Sequence, residues 1–146
     1  MIATYRYGEP RMDSSLRIGV ARQPPRGVRH QDYRKKNYFD LWLRVLSPSP
    51  ELVSRYRKKR ITFSEFESAY RAEMGRVEPR QVIELVALLS RNRPVSIGCF
   101  CEREGYCHRS ILKRLIESAD SEFPPDRSPE RRPNASPVCF LEEEEN

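Results

Sequence analysis

Pro94-Val95-Ser96-Ile97-Gly98-Cys99-Phe100 runs into Cys101-Glu102-Arg103-Glu104-Gly105-Tyr106 and then into Cys107-His108-Arg109-Ser110-Ile111-Leu112. The first run is short, apolar and β-prone, so it reads as a buried strand. Glu102-Arg103-Glu104-Gly105 reads as a turn. Beyond it, Ile111, Leu112, Leu115 and Ile116 share one face of a helix from about Cys107 to Ser118. Upstream, Val82, Leu85, Val86 and Leu89 form an apolar stripe on a helix that starts at Pro79 and closes at Asn92. Helix, buried strand, turn and helix, joined by an earlier strand, predict an α/β fold with a small, mainly parallel sheet and flanking helices.

The earlier strand is Leu16-Arg17-Ile18-Gly19-Val20-Ala21, ended by Arg22-Gln23-Pro24-Pro25-Arg26-Gly27, which suits neither helix nor ladder. Asp40-Leu41-Trp42-Leu43-Arg44-Val45-Leu46 is apolar enough for burial, with helix and strand both open. Ser49 before Pro50 predicts an N-cap and first helical residue, opening a helix to about Lys59. Thr62 with Glu65 predicts a second cap, opening Phe63–Met74. Tyr5, Tyr7 and His30 carry no readable signal, and Trp42 reads as a core residue. Asp40 reads as a capping or pairing carboxylate.

At 146 residues and 17.2 kDa the chain fits one domain. That domain is expected over residues 1–119. Residues 120–146 hold five of the twelve prolines and end in Glu142–Glu145, which predicts an acidic, Pro-rich disordered tail. No apolar run approaches the ~20 residues that a membrane span needs. Nor does Met1–Arg6 resemble a secretory signal, so the expectation is a cytoplasmic protein with reduced cysteines. Charge is graded along the chain. Residues 1–60 hold 15 Lys/Arg against 5 Asp/Glu, whereas residues 120–146 hold 3 against 8. The basic half points to an anionic partner, either a phosphorylated small molecule or nucleic acid.

Cys99, Cys101 and Cys107 fall within nine residues, beside His108. In α/β sheets, ligands gather where strands end and helices begin. A thiol at a helix N-terminus, next to His108 and Arg109, favours its anion. One reading therefore makes Cys107 a thiolate, His108 an acid/base, and Arg109, flanked by Ser110, a fork for an anion. A second reading gathers Cys99, Cys101, Cys107 and His108 around zinc. A third makes Cys99 a small core hydrophobe at the end of a buried strand.

The segment Pro94–Arg114, with Cys99 followed eight residues later by Cys107-His108-Arg109, resembles the domain-of-unknown-function family 488. Pro25-Arg26-Gly27-Val28, Asp40-Leu41-Trp42-Leu43…Leu46-Ser47-Pro48-Ser49 and Phe66…Tyr70-Arg71-Ala72-Glu73-Met74 resemble its other segments, in order, over about residues 14–119. The resemblance implies a small α/β domain in which the basic loop and the Cys-His-Arg turn line one pocket; it implies no reaction. Two positions depart from the family's pattern. Ala21 and Cys101 stand where many relatives carry acidic residues.

Two further basic elements stand out. Arg22 and Arg26, in a proline-stiffened loop, are expected to join Arg109 in clamping a phosphate. Arg55-Tyr56-Arg57-Lys58-Lys59-Arg60 reads either as a nucleic-acid contact with Tyr56 stacked on a base, or as a solvated helix end. The leading expectation is a pocket for a small anionic ligand, in an enzyme or a sensor, with no cofactor. A nucleic-acid-binding module and a structural zinc protein are the alternatives.

Overall fold

The computed structural model describes residues 1–125. Four strands, β1 (Ile2–Arg6), β2 (Leu16–Gly19), β3 (Leu41–Trp42) and β4 (Val95–Cys99), form one sheet in the order β1-β4-β2-β3. Every pairing is parallel, with Ile18 opposite Ile97 and Tyr5 opposite Gly98. A parallel sheet is covered on both faces. All five residues of β4 are accordingly buried.

The helices form where their caps predict. In α1 (Pro50–Arg57) the Ser49 side chain accepts from the Leu52 N–H, and in α2 (Phe63–Met74) Thr62 and Glu65 complete a reciprocal capping box. The last two helices are α3 (Val77–Asn92) and α4 (His108–Glu122). The final helix thus runs past the expected Ser118. Arg91 holds its end, donating to the Asp120 carboxylate at 2.6 Å and to the Pro124 carbonyl at 2.8 Å. The rest of the expected tail lies outside the described residues. No described helix is long and apolar enough to cross a membrane.

The α3 face differs from the sequence reading. Its buried residues are Ile83, Val86, Ala87 and Ser90, while Leu85 is 66% exposed and Leu89 38%. The two stripes share Val86 and differ by a one-residue rotation of about 100°. Apolar content does not separate them, because α3 is apolar over more than one face. Packing against α4 and the Arg44–Leu46 turn selects the face, and Ser90 is accommodated by donating to the Ala87 carbonyl at 2.7 Å.

Two clusters cover the sheet. The main core joins Ile18, Val95 and Ile97 to Leu46, Phe66, Tyr70, Val86, Ile111, Leu112 and Ile116. The second is aromatic, with Tyr5, Tyr7 and Phe39 buried beside Ala21, Cys99 and Cys107. Gly98 makes the second possible, since a Cβ there would collide with the Tyr5 ring. Arg17 lies over that ring at 4.3 Å and donates to the carbonyls of Glu9, Pro10 and Asn37. Asp40 binds Arg11 at 2.7 Å and Arg34 at 3.0 Å, and accepts the Arg17 N–H at 2.9 Å, so its role is pairing.

Candidate functional site

The two central strands, β4 and β2, end side by side, and the loops leaving them meet the N-terminus of α4. Cys99 is the last residue of β4, Cys101 lies in the following loop, and Cys107 is the N-cap of α4. The loop is tied back to β1: Arg6 pairs with Glu102 at 3.2 Å, and Thr4 donates to Glu104 at 2.6 Å. The Glu102 carboxylate is thereby engaged with Arg6.

This path brings the three sulfurs within 4.8 Å of one another, a grouping able to hold a metal ion. All three cysteines are free thiols, and the Cys99 thiol donates to Cys101 Sγ at 3.8 Å. Cys99 and Cys107 are buried and Cys101 is exposed. Hydrogen bonding from Cys107 and Cys99, with the positive charge of Arg109 nearby, pulls the Cys101 thiol far below its ordinary range. The same hydrogen bonding, together with burial, pushes the Cys107 thiol up. Within the cluster the anion is thus favoured at the exposed Cys101 and disfavoured at the buried Cys107, the thiolate expected from the sequence.

His108 is buried against the edge of the Tyr70 ring. Its Nε2 lies 2.9 Å from the Val20 carbonyl, which can only accept, so Nε2 carries the hydrogen. The other nitrogen, Nδ1, accepts from the Cys107 thiol at 3.7 Å. Burial lowers the pKa of the imidazole, which is consequently neutral.

A cleft of about 520 Å³ opens at this end of the sheet. Its lining includes Cys99, Cys101, Cys107 and His108, together with Arg22, Arg57 and Lys58. Of the expected anion clamp, the structure brings only Arg22 to the cleft. Arg26 is exposed elsewhere on its loop. Arg109 is buried and turned under the sheet, donating to the carbonyls of Tyr5 at 3.0 Å and Cys99 at 3.5 Å. Ser110 donates to the Cys107 carbonyl at 2.8 Å and stays out of the lining. The physical reason is the direction of α4: its first turn points Arg109 at the carbonyls of Tyr5 and Cys99, which take its Nη1 and leave its Nε without a partner among the described residues.

Arg57 and Lys58 are the cleft cations that the sequence reading did not assign to the pocket; their signal was the 55–60 basic run. Tyr56 packs against Phe66 at 4.9 Å and Phe63 at 5.9 Å between ring centres, and its half-buried side chain also lines the cleft. The zinc set read from the sequence is found in part: three sulfurs converge, and His108 stands behind Cys107.

No curated protein and no solved structure matches the chain. Residues 2–120, which include the unforeseen β1, match the family DUF488-N3a, described as the active DUF488-N3 subclade, and the chain belongs to that family.

Proposed function

We propose that the cleft binds a small phosphorylated ligand, a metabolite or a nucleotide, and presents it to the Cys-His cluster. The carrying observation is convergence. Arg22 from the loop after β2 and Arg57 and Lys58 from the end of α1 line the same cleft as the three sulfurs. Arg22 also has a buried Nε without a partner among the described residues, while its Nη1 reaches Ser47 at 3.4 Å. A buried guanidinium N–H without an acceptor is costly, and an anion in the cleft is a natural acceptor for it. Cys101, the exposed sulfur, is the group that reaches the ligand, and His108 Nδ1 is placed to take or return a proton at Cys107. The description of the subclade as active favours an enzyme over a sensor.

The test is calorimetric titration of the full chain with adenosine monophosphate and with inorganic phosphate. Binding should weaken about tenfold or more in Arg22→Ala and in Arg57→Ala, the loss of one charged hydrogen bond of roughly 1.5–3 kcal/mol. Arg26→Ala should leave it unchanged. Absence of binding by both probes, or equal weakening by Arg26→Ala, would overturn the reading. Nucleic acid is the second reading of the basic segment, because Arg55, Lys59 and Arg60 form no ion pair among the described residues. Salt-sensitive binding of unrelated oligonucleotides that ignores Cys107→Ser would favour it.

A further inference from the structure

We propose that Cys99, Cys101 and Cys107 form a zinc site with three thiolate ligands and a fourth position open to the cleft. This deepens the preceding reading by naming what the sulfur cluster presents to the ligand, and it rests on that reading only for the ligand.

Distance is the first support. A tetrahedral zinc with Zn–S bonds of ~2.3 Å requires sulfurs about 3.8 Å apart. Cys99 and Cys101 already stand at 3.8 Å, and no pair in the cluster exceeds 4.8 Å. Side-chain torsions alone can close the remainder. Thiolates are soft donors, which selects zinc over magnesium or calcium. Three protein ligands with an open fourth position is the arrangement of catalytic zinc, whereas structural zinc is closed by four. All three cysteines line the cleft, so the open position faces the space where the ligand would lie.

Charge is the second and independent support. Arg109 is buried and forms no ion pair among the described residues. Its Nη1 is held by carbonyls, and its Nε has no acceptor. A buried cation without an anion is strongly disfavoured. Zinc with three thiolates carries one net negative charge, and it would sit next to this guanidinium, which already bonds the Cys99 carbonyl. The metal complex carries this negative charge whichever thiols are protonated without metal, and it offsets the buried Arg109 cation.

His108 supplies the outer layer. Its Nε2–H is pinned to Val20, and Nδ1 contacts Cys107 Sγ at 3.7 Å, which fixes the ring behind the cluster. In balance, Zn²⁺ enters, the thiols that are still protonated lose their protons to water, and three Zn–S bonds form. No oxidant is involved.

The experiment is metal titration of the full chain, reduced and stripped with chelator, against a chromophoric zinc competitor. Cobalt(II) in place of zinc supplies a spectroscopic readout. One zinc per chain is expected, unchanged in Cys139→Ser, with affinity more than about a hundredfold lower in Cys101→Ser and Cys101→Ala, beyond what losing an outer-layer partner does. Inorganic phosphate should shift the visible cobalt bands, as an open position predicts. Circular dichroism of both Cys101 variants shows that each is folded. No stoichiometric zinc, or equal affinity in the Cys101 variants, overturns the site. Weakening by His108→Gln as large as by Cys101→Ser overturns the open position, because the imidazole would then be the fourth ligand. Adenosine monophosphate titrated into metal-free Cys101→Ser separates the two proposals. Binding there without zinc affinity in the wild type leaves the cleft reading standing alone. Zinc binding with no nucleotide or phosphate binding leaves the metal site alone.

Discussion

His108 donates its Nε2 hydrogen to the carbonyl of Val20 at 2.9 Å, across 88 positions of chain, and ties the first turn of α4 to the end of the neighbouring strand. Burial is the largest influence on this imidazole and lowers its pKa, with the Val20 bond acting partly against that. The folded pKa thus lies below the value of about 6.5 in the unfolded chain. As the pH falls through that value, the unfolded chain takes up a proton that the folded chain refuses, and stability declines until the folded pKa is reached. Urea midpoints should therefore drop between pH 7.5 and 5.5. His108→Gln should flatten most of this slope while costing about 1–3 kcal/mol at neutral pH. An unchanged slope in the variant would sink the assignment.

Asp40 joins three segments, since Arg11, Arg34 and the Arg17 N–H all converge on one carboxylate. Burial opposes its ionisation, but the Arg17 N–H and the two guanidinium groups outweigh burial and hold the carboxyl below its usual range. Its contribution is present above the unfolded pKa of about 3.9 and is lost as pH falls toward the folded one. Asp40→Asn should destabilise by about 2 kcal/mol at pH 7, and by less near pH 3, in denaturant titrations.

The α3 face is tested by a pair of substitutions two residues apart. Ile83→Ala removes a buried side chain and should cost about 2–4 kcal/mol. Leu85→Ala, on an outward position, should stay within about 0.5 kcal/mol. Thermal unfolding of both distinguishes the observed face from the stripe that the sequence suggests, for which Leu85→Ala would be the damaging change.

Gly98 lies beneath Tyr5, whose ring is held by Arg17 at 4.3 Å and whose hydroxyl donates to the Tyr38 carbonyl. With both sides of the ring occupied, Gly98→Ala forces overpacking and should cost about 1–3 kcal/mol. Cys99 follows directly, so the variant should also weaken whatever binds the sulfur cluster. Wild-type stability in Gly98→Ala would show that the ring can give way.

Legibility followed the range of the interactions. The Ser49 and Thr62–Glu65 caps were readable because the donor and acceptor lie within three residues. β1 was not readable. Ile2–Arg6 is short and carries polar residues, and its strand character comes from pairing with β4 more than 90 residues away, Ile2 lying opposite Val95. In the site, the clustering of three cysteines beside His108 was plain from spacing alone. The cleft's cations were split: Arg22 was foreseen, while Arg57 and Lys58 looked like an ordinary solvated helix end.

What the sequence determined by itself is the α/β class, the buried strand β4, the helices with strong caps, and the clustering of three cysteines beside His108. Those features rest on periodicity, capping and backbone preference, which act over a few residues. Only the tertiary structure decided which face of α3 is inward, that Cys101 is the exposed sulfur, and that Arg109 is spent on the Tyr5 carbonyl, 104 positions away, and not on a ligand. Each of these is a choice between locally equivalent options, settled by which arrangement buries apolar surface while pairing most buried polar groups.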